Sequence, residues 1–210
     1  MENKKKIYII DYGVGNIGSL TNMIKYIGED VDVSNKIDDL KNADAMILPG
    51  VGSFDEAVKK IRSIDGLHEL ILDKALNQKI PFLGICLGMQ LLLDSSEEGT
   101  LKGLGLINGK AFKFQKNKNF KIPHMGWNYI NILKKNDLIQ ENEYLKFYFV
   151  HSYYVMVEDA KNVIGKTQYI NEFDSIIQYK NIFGIQFHPE RSHKNGMKLL
   201  KNFYNIVNVS

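Results

Sequence analysis

The sequence predicts an α/β fold: a doubly wound, mainly parallel sheet flanked by helices, with added antiparallel strands in the C-terminal half. In the first half of the chain, short apolar segments alternate with longer segments of helical spacing, which is the pattern of parallel strands joined by crossover helices. After about residue 105, apolar segments follow one another closely and turn residues separate them, as in antiparallel sheets. Ligands of such folds bind at the carboxyl ends of the parallel strands, so we expect the function there.

Three short apolar runs predict the parallel strands. They are "IYIID" at 7–11, "AMILPG" at 45–50 and "PFLGIC" at 81–86. The connections between them have helical spacing and predict helices over 17–27 and 54–77. Because connections of this length form right-handed crossovers, the three strands should lie parallel with their carboxyl ends at one edge.

The second half is predicted to contain antiparallel strands and a closing helix. The predicted strands are "KAFKF", "WNYINI", "FYFVHSYYVMV", "VIGKTQYI", "SIIQY" and "IFGIQFH". Asn108 and Gly109 form a turn signal directly before the first of these strands. Apolar residues recur at helical spacing in the tail and predict a helix over 196–207 that packs back on the sheet.

Length and composition are those of one ordinary globular domain, which we predict over residues 1–210. The chain has 44% hydrophobic and 24% charged residues, as globular domains do. Its single cysteine excludes an internal disulfide and favours a cytoplasmic location. The net charge is only +3, and the lysines are scattered, so a nucleic-acid partner is not expected. Nor is a membrane, since no apolar run approaches the ~20 residues that a membrane-spanning helix needs.

Cys86, the only cysteine, lies in "GICLG" at 84–88. A nucleophile with a glycine two residues away on either side is typical of a nucleophile elbow, where a strand turns sharply into a helix. We expect the helix to begin near Leu87, whose amide could donate to an oxyanion, and its amino end to favour a thiolate. The alternative is a small buried hydrophobic side chain, which is what most lone cysteines are. The pentapeptide alone leaves both interpretations open.

His188 and Glu190 lie in "FHPE" at 187–190, directly after a predicted strand. Pro189 restricts His188 to an extended conformation and ends the strand. Glu190 is then near enough for its carboxylate to reach the far imidazole nitrogen, while the other nitrogen takes a proton from a thiol. An ordinary loop histidine is the alternative.

The segment "LPGVGSF" at 48–54 ends another predicted strand in glycines. Gly50 and Gly52 permit backbone angles and a close ligand approach that side chains forbid, and amides there could complete an oxyanion hole. A plain strand-to-helix turn with Ser53 as the N-cap is the alternative. Together, a cysteine, a histidine with an adjacent acid and glycine-rich amides at strand ends are the parts needed for thiol-mediated acyl transfer.

Over nearly its whole length the sequence resembles the class I, triad-type glutamine amidotransferases. The matching blocks are "DYGVGNIGSL" (11–20), "LPGVGSF" (48–54), "GICLGMQLL" (84–92), "PHMGWN" (123–128), "FVHSYY" (149–154) and "FGIQFHPERS" (183–192). The elbow and "FHPE" are typical of the superfamily. The blocks "PHMGWN" and "VHSYY" are typical of one branch, the glutaminase subunits of imidazole glycerol phosphate synthase, from histidine biosynthesis.

The resemblance implies a catalytic triad of Cys86, His188 and Glu190. It implies that L-glutamine is hydrolysed through a γ-glutamyl thioester and that ammonia passes to a (β/α)₈-barrel synthase subunit in a heterodimer. We expect no cofactor and no metal. The predicted oxyanion and substrate-binding residues are Gly50, Val51, Gly52, Leu87, Gln90, His151, Ser152 and Tyr153.

Contact with the partner is the best functional explanation of "PHMGWN", since no residue of this block is assigned to the chemistry. Trp127 lies near Met125, and both residue types are enriched at partner surfaces, although core packing is a close alternative. The predicted interface residues are Asn16, Met125, Trp127, Tyr148 and Arg191. His124 is interpreted as structural or interfacial, and His151 as a wall of the pocket.

Other functions stay open. Paralogues with these blocks supply ammonia to other synthases, including ones that amidinate sugars for surface polysaccharides, and nothing in the quoted blocks separates the two. A non-catalytic regulatory or binding subunit would keep the fold, but the intact Cys86, His188 and Glu190 argue against it. The branch-typical blocks argue against a thiol hydrolase without an ammonia acceptor, such as a cysteine peptidase.

Overall fold

The computed structural model of this chain describes residues 5–139 and 145–210. The domain predicted over 1–210 thus includes residues 1–4 and 140–144, which lie outside the described residues. In the described part, twelve strands form one hydrogen-bonded sheet, and helices pack on both of its faces. The predicted fold class is confirmed.

Strands and helices alternate in the first half of the chain, and strands predominate in the second. The strands are β1 (Ile7–Ile10), β2 (Asp32–Ser34), β3 (Ala45–Gly50), β4 (Phe82–Cys86), β5 (Ser95–Ser96), β6 (Gly109–Lys113), β7 (His124–Ile132), β8 (Leu145–His151), β9 (Tyr153–Val157), β10 (Val163–Gln168), β11 (Glu172–Tyr179) and β12 (Ile182–Ile185). The α-helices are α1 (Ile17–Tyr26), α2 (Ile37–Leu40), α3 (Phe54–Ser63), α4 (Leu67–Leu72), α5 (Leu87–Leu91) and α6 (His193–Asn208). A π-helical turn (Asp73–Asn77) follows α4, and 3₁₀ turns lie at Ala160–Asn162 and Pro189–Arg191.

One end of the sheet is parallel and the other antiparallel. Strands β2, β1, β3, β4 and β12 lie side by side in that order and run parallel. Strands β11, β10, β7 and β8 continue the sheet as antiparallel neighbours. A branch of β9, β6 and β5 starts at β11. Strand β12 therefore joins the two parts, because it is antiparallel to β11 and parallel to β4.

Two predicted elements are interrupted in the structure. The helix predicted over 54–77 ends first at Ser63, because Gly66 adopts the left-handed conformation (φ 75°) before α4 begins. The segment "FYFVHSYYVMV" forms two strands, β8 and β9, separated at Ser152. There the chain leaves its pairing with β7 and begins to pair with β6 and β11.

The parallel strands are buried from both sides. The run "AMILPG" of β3 is buried at every position, as central parallel strands are. Helices α1 and α6 cover one face, and α3, α4 and α5 cover the other. The predicted closing helix is confirmed as α6, which packs its apolar side against the first of these faces. No helix in the two described ranges is both long enough and apolar enough to cross a bilayer.

Three loops meet where the parallel strands end. Strand β4 ends at Cys86 and lies between β3, which ends at Gly50, and β12, which ends at Ile185. Gly50 pairs directly with Cys86 across the β3–β4 ladder. The segments "GICLG", "LPGVGSF" and "FHPE", far apart in the sequence, therefore lie next to one another.

Candidate active site

Cys86 occupies a strained turn between β4 and α5. Its backbone has φ 56° and ψ −110°, a conformation that a residue with a side chain rarely adopts. The flanking glycines are needed because the chain packs closely here. A Cβ at Gly88 would lie 1.8 Å from the Leu48 carbonyl oxygen, and one at Gly84 would lie 2.7 Å from the Gly88 carbonyl oxygen. This geometry is that of a nucleophile elbow, and α5 begins at Leu87 as predicted.

His188 and Glu190 form a buried pair beside the cysteine. Extended backbone at His188 (φ −99°, ψ 101°) leads into Pro189, as expected for a residue before proline. His188 Nδ1 lies 2.9 Å from Glu190 Oε1, and the two side chains are 8% and 4% exposed. The other carboxylate oxygen, Oε2, is buried and has no hydrogen-bond partner among the described residues. Since Nδ1 faces the carboxylate, Nε2 is the nitrogen left to interact with the thiol.

The surroundings of His188 favour its protonated form. Burial alone lowers the pKa of His188, because it disfavours the charged ring. The charge and hydrogen bond of Cys86 act in the opposite direction, as do the hydrogen bond and charge of Glu190, and the net effect raises the pKa to about 10. At neutral pH the His188 ring is therefore an imidazolium, and it lines the same cavity as Cys86.

The glycine loop after β3 starts beside Cys86. Gly52 has φ 100°, which favours glycine, whereas Gly50 is required by space, because a Cβ there would lie 2.7 Å from Tyr12 Oη. The Tyr12 hydroxyl donates to the Pro49 carbonyl over 2.7 Å and anchors the start of the loop. The N-cap interpretation of Ser53 is wrong in one respect, because its side chain makes no capping hydrogen bond. Glu98 Oε2 accepts from the Phe54 amide at 2.8 Å instead.

A cavity of about 340 Å³ opens at this site. Most of the residues predicted from the sequence line it: Asn16, Val51, Gly52, Cys86, Leu87, Gln90, His151, Ser152, Tyr153, His188, Glu190 and Arg191. Gly50 is not one of the lining residues; it lies close to Tyr12 and Leu87. Met125, Trp127 and Tyr148 are not among the lining residues.

Two further residues contact Cys86 or line the cavity and were not predicted from the sequence, Gln186 and Glu98. Gln186 is fully buried, and its Nε2 lies 3.8 Å from Cys86 Sγ. Its Oε1 accepts from Gln90 Nε2 at 3.2 Å. Glu98 lines the cavity, and burial raises the pKa of its carboxyl. Gln186 lies inside the quoted block "FGIQFHPERS" and could have been found there, whereas no motif marks Glu98.

Four of the predicted interface residues lie together on or beside the β7–β8 ladder: Met125, Trp127, Tyr148 and Arg191. Met125 and Trp127 on β7 are 62% and 41% exposed, although both side chains are large and apolar. The Trp127 ring packs edge-on against Tyr148, and the Arg191 guanidinium lies 5.0 Å from the centre of the Tyr148 ring. Asn16 and Arg191 reach the cavity itself.

The chain belongs to the class-I glutamine amidotransferases: the family model "Glutamine amidotransferase class-I" matches residues 8–207. The fold and the strand-end cysteine agree with this membership, and the predicted resemblance is confirmed. Within the family, the chain is similar to proteins named imidazole glycerol phosphate synthase subunit HisH. The subunit HisH 2 of Methanococcus maripaludis is 54% identical over 200 residues, which are 94% of this chain and 98% of that protein.

Further relatives carry the same name. The subunit HisH 2 of Pseudomonas aeruginosa is 41% identical over 202 residues, 96% of this chain and 100% of that protein. Methanococcus maripaludis has another, HisH 1, which is 44% identical over 208 residues, again 96% and 100% of the two chains. One organism thus has two proteins of this name that differ in their similarity to this chain.

Solved structures support the fold alone. The structure of PurLQS from Thermotoga maritima matches with a TM-score of 0.76 at 19% identity, over 98% of this chain and 100% of that chain. A crystal structure of a glutamine amidotransferase matches with a TM-score of 0.72 at 14% identity, over 96% and 98% of the two chains.

Proposed function

We propose that this chain is the glutaminase subunit of an imidazole glycerol phosphate synthase. It hydrolyses L-glutamine and passes ammonia to a (β/α)₈-barrel partner subunit, in a heterodimer that serves histidine biosynthesis. The observation that carries the proposal is the strained Cys86 beside the buried His188–Glu190 pair, in a chain 54% identical to a protein of that name.

The cavity offers the groups that free glutamine needs. Glutamine carries an ammonium, a carboxylate and a carboxamide, so its site requires acceptors, donors and a nucleophile. Burial raises the pKa of the Glu98 carboxyl, because it disfavours the ionised form. The ammonium group of the substrate would stabilise that ionised form. Gln90 and the backbone of Ser152 and Tyr153 lie along the same cavity and hold the rest of the substrate.

The first half of the reaction forms a thioester. The Cys86 thiolate attacks the carboxamide carbon, and the carbonyl oxygen becomes an oxyanion that the Leu87 amide and the amides of the 50–52 loop stabilise. The His188 imidazolium then gives its Nε2 proton to the leaving nitrogen. The carbon–nitrogen bond breaks, ammonia leaves, and γ-glutamyl thioester and neutral imidazole remain.

The second half releases glutamate. Neutral His188 takes a proton from water, whose oxygen attacks the thioester carbon. The carbon–sulfur bond breaks, the thiolate leaves, and the new γ-carboxyl group loses its proton to solvent. Glu190 holds the ring through Nδ1 and balances its charge in both halves. Thiolate and imidazolium are thereby restored.

The location and domain structure follow from the same proposal. A thiol nucleophile must stay reduced, and Cys86 is a free thiol, so we place the enzyme in the cytoplasm. We also propose that residues 1–210 act as a single domain, with the ammonia acceptor bound on the partner and not on this chain.

A different ammonia acceptor is the second candidate, because one organism has two relatives of this chain. The chain is 54% identical to HisH 2 and 44% identical to HisH 1 of one organism. Two such subunits in one cell permit one of them to serve a different synthase. The alternative is therefore a subunit that supplies ammonia to a sugar-amidinating synthase for surface polysaccharide.

The test is a glutamine-dependent synthesis assay with each class of synthase from the same organism. Stimulated glutamine hydrolysis and cyclised product with the imidazole-forming synthase would support the first function. Stimulation only by the sugar-amidinating synthase would support the alternative. If neither synthase supports glutamine hydrolysis by this chain, while each synthase still makes its product from ammonium salts, both proposed functions are contradicted.

A further inference from the structure

A chain of hydrogen bonds runs from strand β7 to the cavity wall through two buried histidines. Asn128 Nδ2 lies 3.2 Å from His124 Nε2, and His124 Nδ1 lies 2.9 Å from His151 Nε2. His151 Nδ1 lies 2.7 Å from the Tyr153 carbonyl oxygen. The two histidines are 3% and 6% exposed, and the hydrolysis proposed for Cys86 uses neither ring.

Backbone groups at both ends set the direction of these bonds. Asn128 Oδ1 accepts from the Tyr129 amide at 2.8 Å, and Asn128 Nδ2 donates to the Gln168 carbonyl at 3.0 Å. The Asn128 amide is therefore oriented with its nitrogen as the donor towards His124. At the other end the Tyr153 carbonyl can only accept, so His151 carries a proton on Nδ1.

The direction of the hydrogen bond between the two rings then follows from their protonation. Burial lowers the pKa of His124 to about 4. Burial, with His124 as a smaller cause, lowers the pKa of His151 to about 3, so both rings are neutral at pH 7. His151 Nε2 has a lone pair and accepts, and His124 donates from Nδ1. Both rings are thus the Nδ1–H tautomer, and His124 Nε2 accepts from Asn128.

The Tyr153 carbonyl at the end of this chain also orients Gln90. Gln90 Nε2 donates to it over 3.1 Å and to Gln186 Oε1 over 3.2 Å, which uses both amide protons. The group that Gln90 can offer to a substrate is then its oxygen, an acceptor. A reversed amide would present a donor to the ammonium and carboxamide protons of glutamine.

We propose that His124 and His151 are positioning residues for glutamine binding, which hold the Tyr153 carbonyl and through it the Gln90 amide. The inference rests on the proposed function, because it concerns how that substrate is bound. The hydrogen-bonded chain also connects the cavity wall with strand β7. His124 and Asn128 face inward on β7, and the residues that alternate with them are exposed: Met125, Trp127 and Tyr129.

The variant His124→Phe tests the inference. Phenylalanine keeps the ring stacking on Phe149 and Tyr169 but removes both nitrogens, so His151 loses its donor. In the complex with the synthase, we expect the KM for glutamine to rise about threefold to tenfold, the effect of one or two neutral hydrogen bonds. The kcat should stay nearly unchanged, because Cys86 and His188 are untouched. Glutamine has both a donor and an acceptor, so the KM of His124→Gln should lie between those of the wild type and His124→Phe.

Ile130→Val is the matched control, because Ile130 is buried on the same strand and has no polar group. A second measurement, ¹⁵N NMR of histidine-labelled wild-type chain at pH 7, should show Nδ1–H tautomers for both rings. An unchanged KM in His124→Phe, an equal rise in Ile130→Val, or an Nε2–H tautomer at either ring would overturn the inference. Ammonium-dependent synthesis verifies the complex, and a wild-type complex without glutamine hydrolysis would instead contradict the proposed function.

Discussion

Cys86 combines an unfavourable backbone with close packing around it. Residues held at such φ and ψ values cost about 1–3 kcal/mol each and persist only where the surroundings enforce them. Here β3 and α5 enforce the conformation, because Gly88 packs directly on the Leu48 carbonyl. The turn presents Cys86 to the cavity that His188 also lines. A buried structural cysteine requires no such turn.

We predict that Cys86→Ala and Cys86→Ser abolish glutamine-dependent synthesis. The thiol is needed to release ammonia and not to use it, so the complex should still work with added ammonium salts. The measurement compares synthesis from glutamine with synthesis from ammonium chloride. Substantial glutamine hydrolysis by Cys86→Ala would show that the nucleophile is another residue.

The two partners of the cysteine should differ in importance. His188→Ala removes the group that moves the proton, and such general acid–base catalysis contributes roughly 10²–10⁴-fold. Glu190→Gln keeps an acceptor for Nδ1 and loses only the charge, so we expect a smaller loss. Values of kcat/KM for both variants in the complex decide the order, and a reversed order would refute the assigned roles.

The pH dependence should reflect the raised pKa of His188. The leaving nitrogen needs the imidazolium, so kcat/KM should stay level through pH 6.5, the ordinary value for histidine, and fall only as the pH approaches about 10. Glu190 raises this pKa, so Glu190→Gln should move the fall to lower pH. A pH profile of both enzymes is the measurement. A wild-type decline between pH 6 and 8 would be inconsistent with the paired imidazolium.

At the next scale, the loop after β3 is the element most suited to control by a partner. Tyr12 anchors the Pro49 carbonyl, but among the described residues nothing lies within 4 Å of a Cβ placed at Gly52, and Val51 is 43% exposed. The loop is thus anchored at its start, and the space around its later residues is open. If the peptide after Gly50 or Val51 presents its carbonyl to the site, the oxyanion keeps the Leu87 amide but loses the donor from the loop. Reversing that peptide supplies the second amide.

We therefore predict very low glutaminase activity for the isolated chain and a large rise with the synthase and its acceptor. One oxyanion donor contributes roughly 3–4 kcal/mol, or ~10²–10³ in rate. Gly52→Val should reduce this rise more than it weakens the complex, because valine at φ 100° is strained.

This rise is measured by steady-state rates of glutamine hydrolysis. The rates are compared for the chain alone, for the chain with the synthase, and for the chain with the synthase and its acceptor. Gly18→Ala is a suitable control, since a Cβ at Gly18 would meet no atom of the described residues within 4 Å and the residue lies in α1. Full activity of the isolated chain would rule out control by the loop, though not the roles of Cys86 and His188.

At the scale of the whole molecule, the exposed side of β7 is where we expect the partner to bind. We predict that Trp127→Ala raises the Kd of the heterodimer about thirtyfold or more, since buried tryptophan anchors commonly contribute ≥ ~2 kcal/mol. Trp127 is the only tryptophan, so 5-fluorotryptophan labelling gives one ¹⁹F signal that should shift when partner is added. Tyr26→Ala, at a tyrosine 80% exposed on α1, should leave the Kd unchanged. An unmoved ¹⁹F signal in a formed complex would place the interface elsewhere.

Local patterns were sufficient to predict the fold class and most of the residues that line the candidate site. Apolar runs and helical spacing report which side chains must be buried, and they located β3, β4 and α6. Glycine spacing and proline act on the backbone of their own segment, so the turns at Cys86 and His188 were readable from a few residues each. The break at Gly66 and the change of strand at Ser152 were missed, because a helix or strand pattern continues across them.

Only the tertiary structure decided which segments meet. Strand β12 could have paired anywhere in an antiparallel sheet; its position beside β4 brings Gln186 to Cys86 across 100 residues. Glu98 reaches the cavity because it caps α3, a contact between residues 44 apart. The bond between His124 and His151 depends on the register of β7 against β8, where the two residues lie opposite each other. Sequence sets what each segment must bury, whereas strand order and register depend on how all the segments share one core.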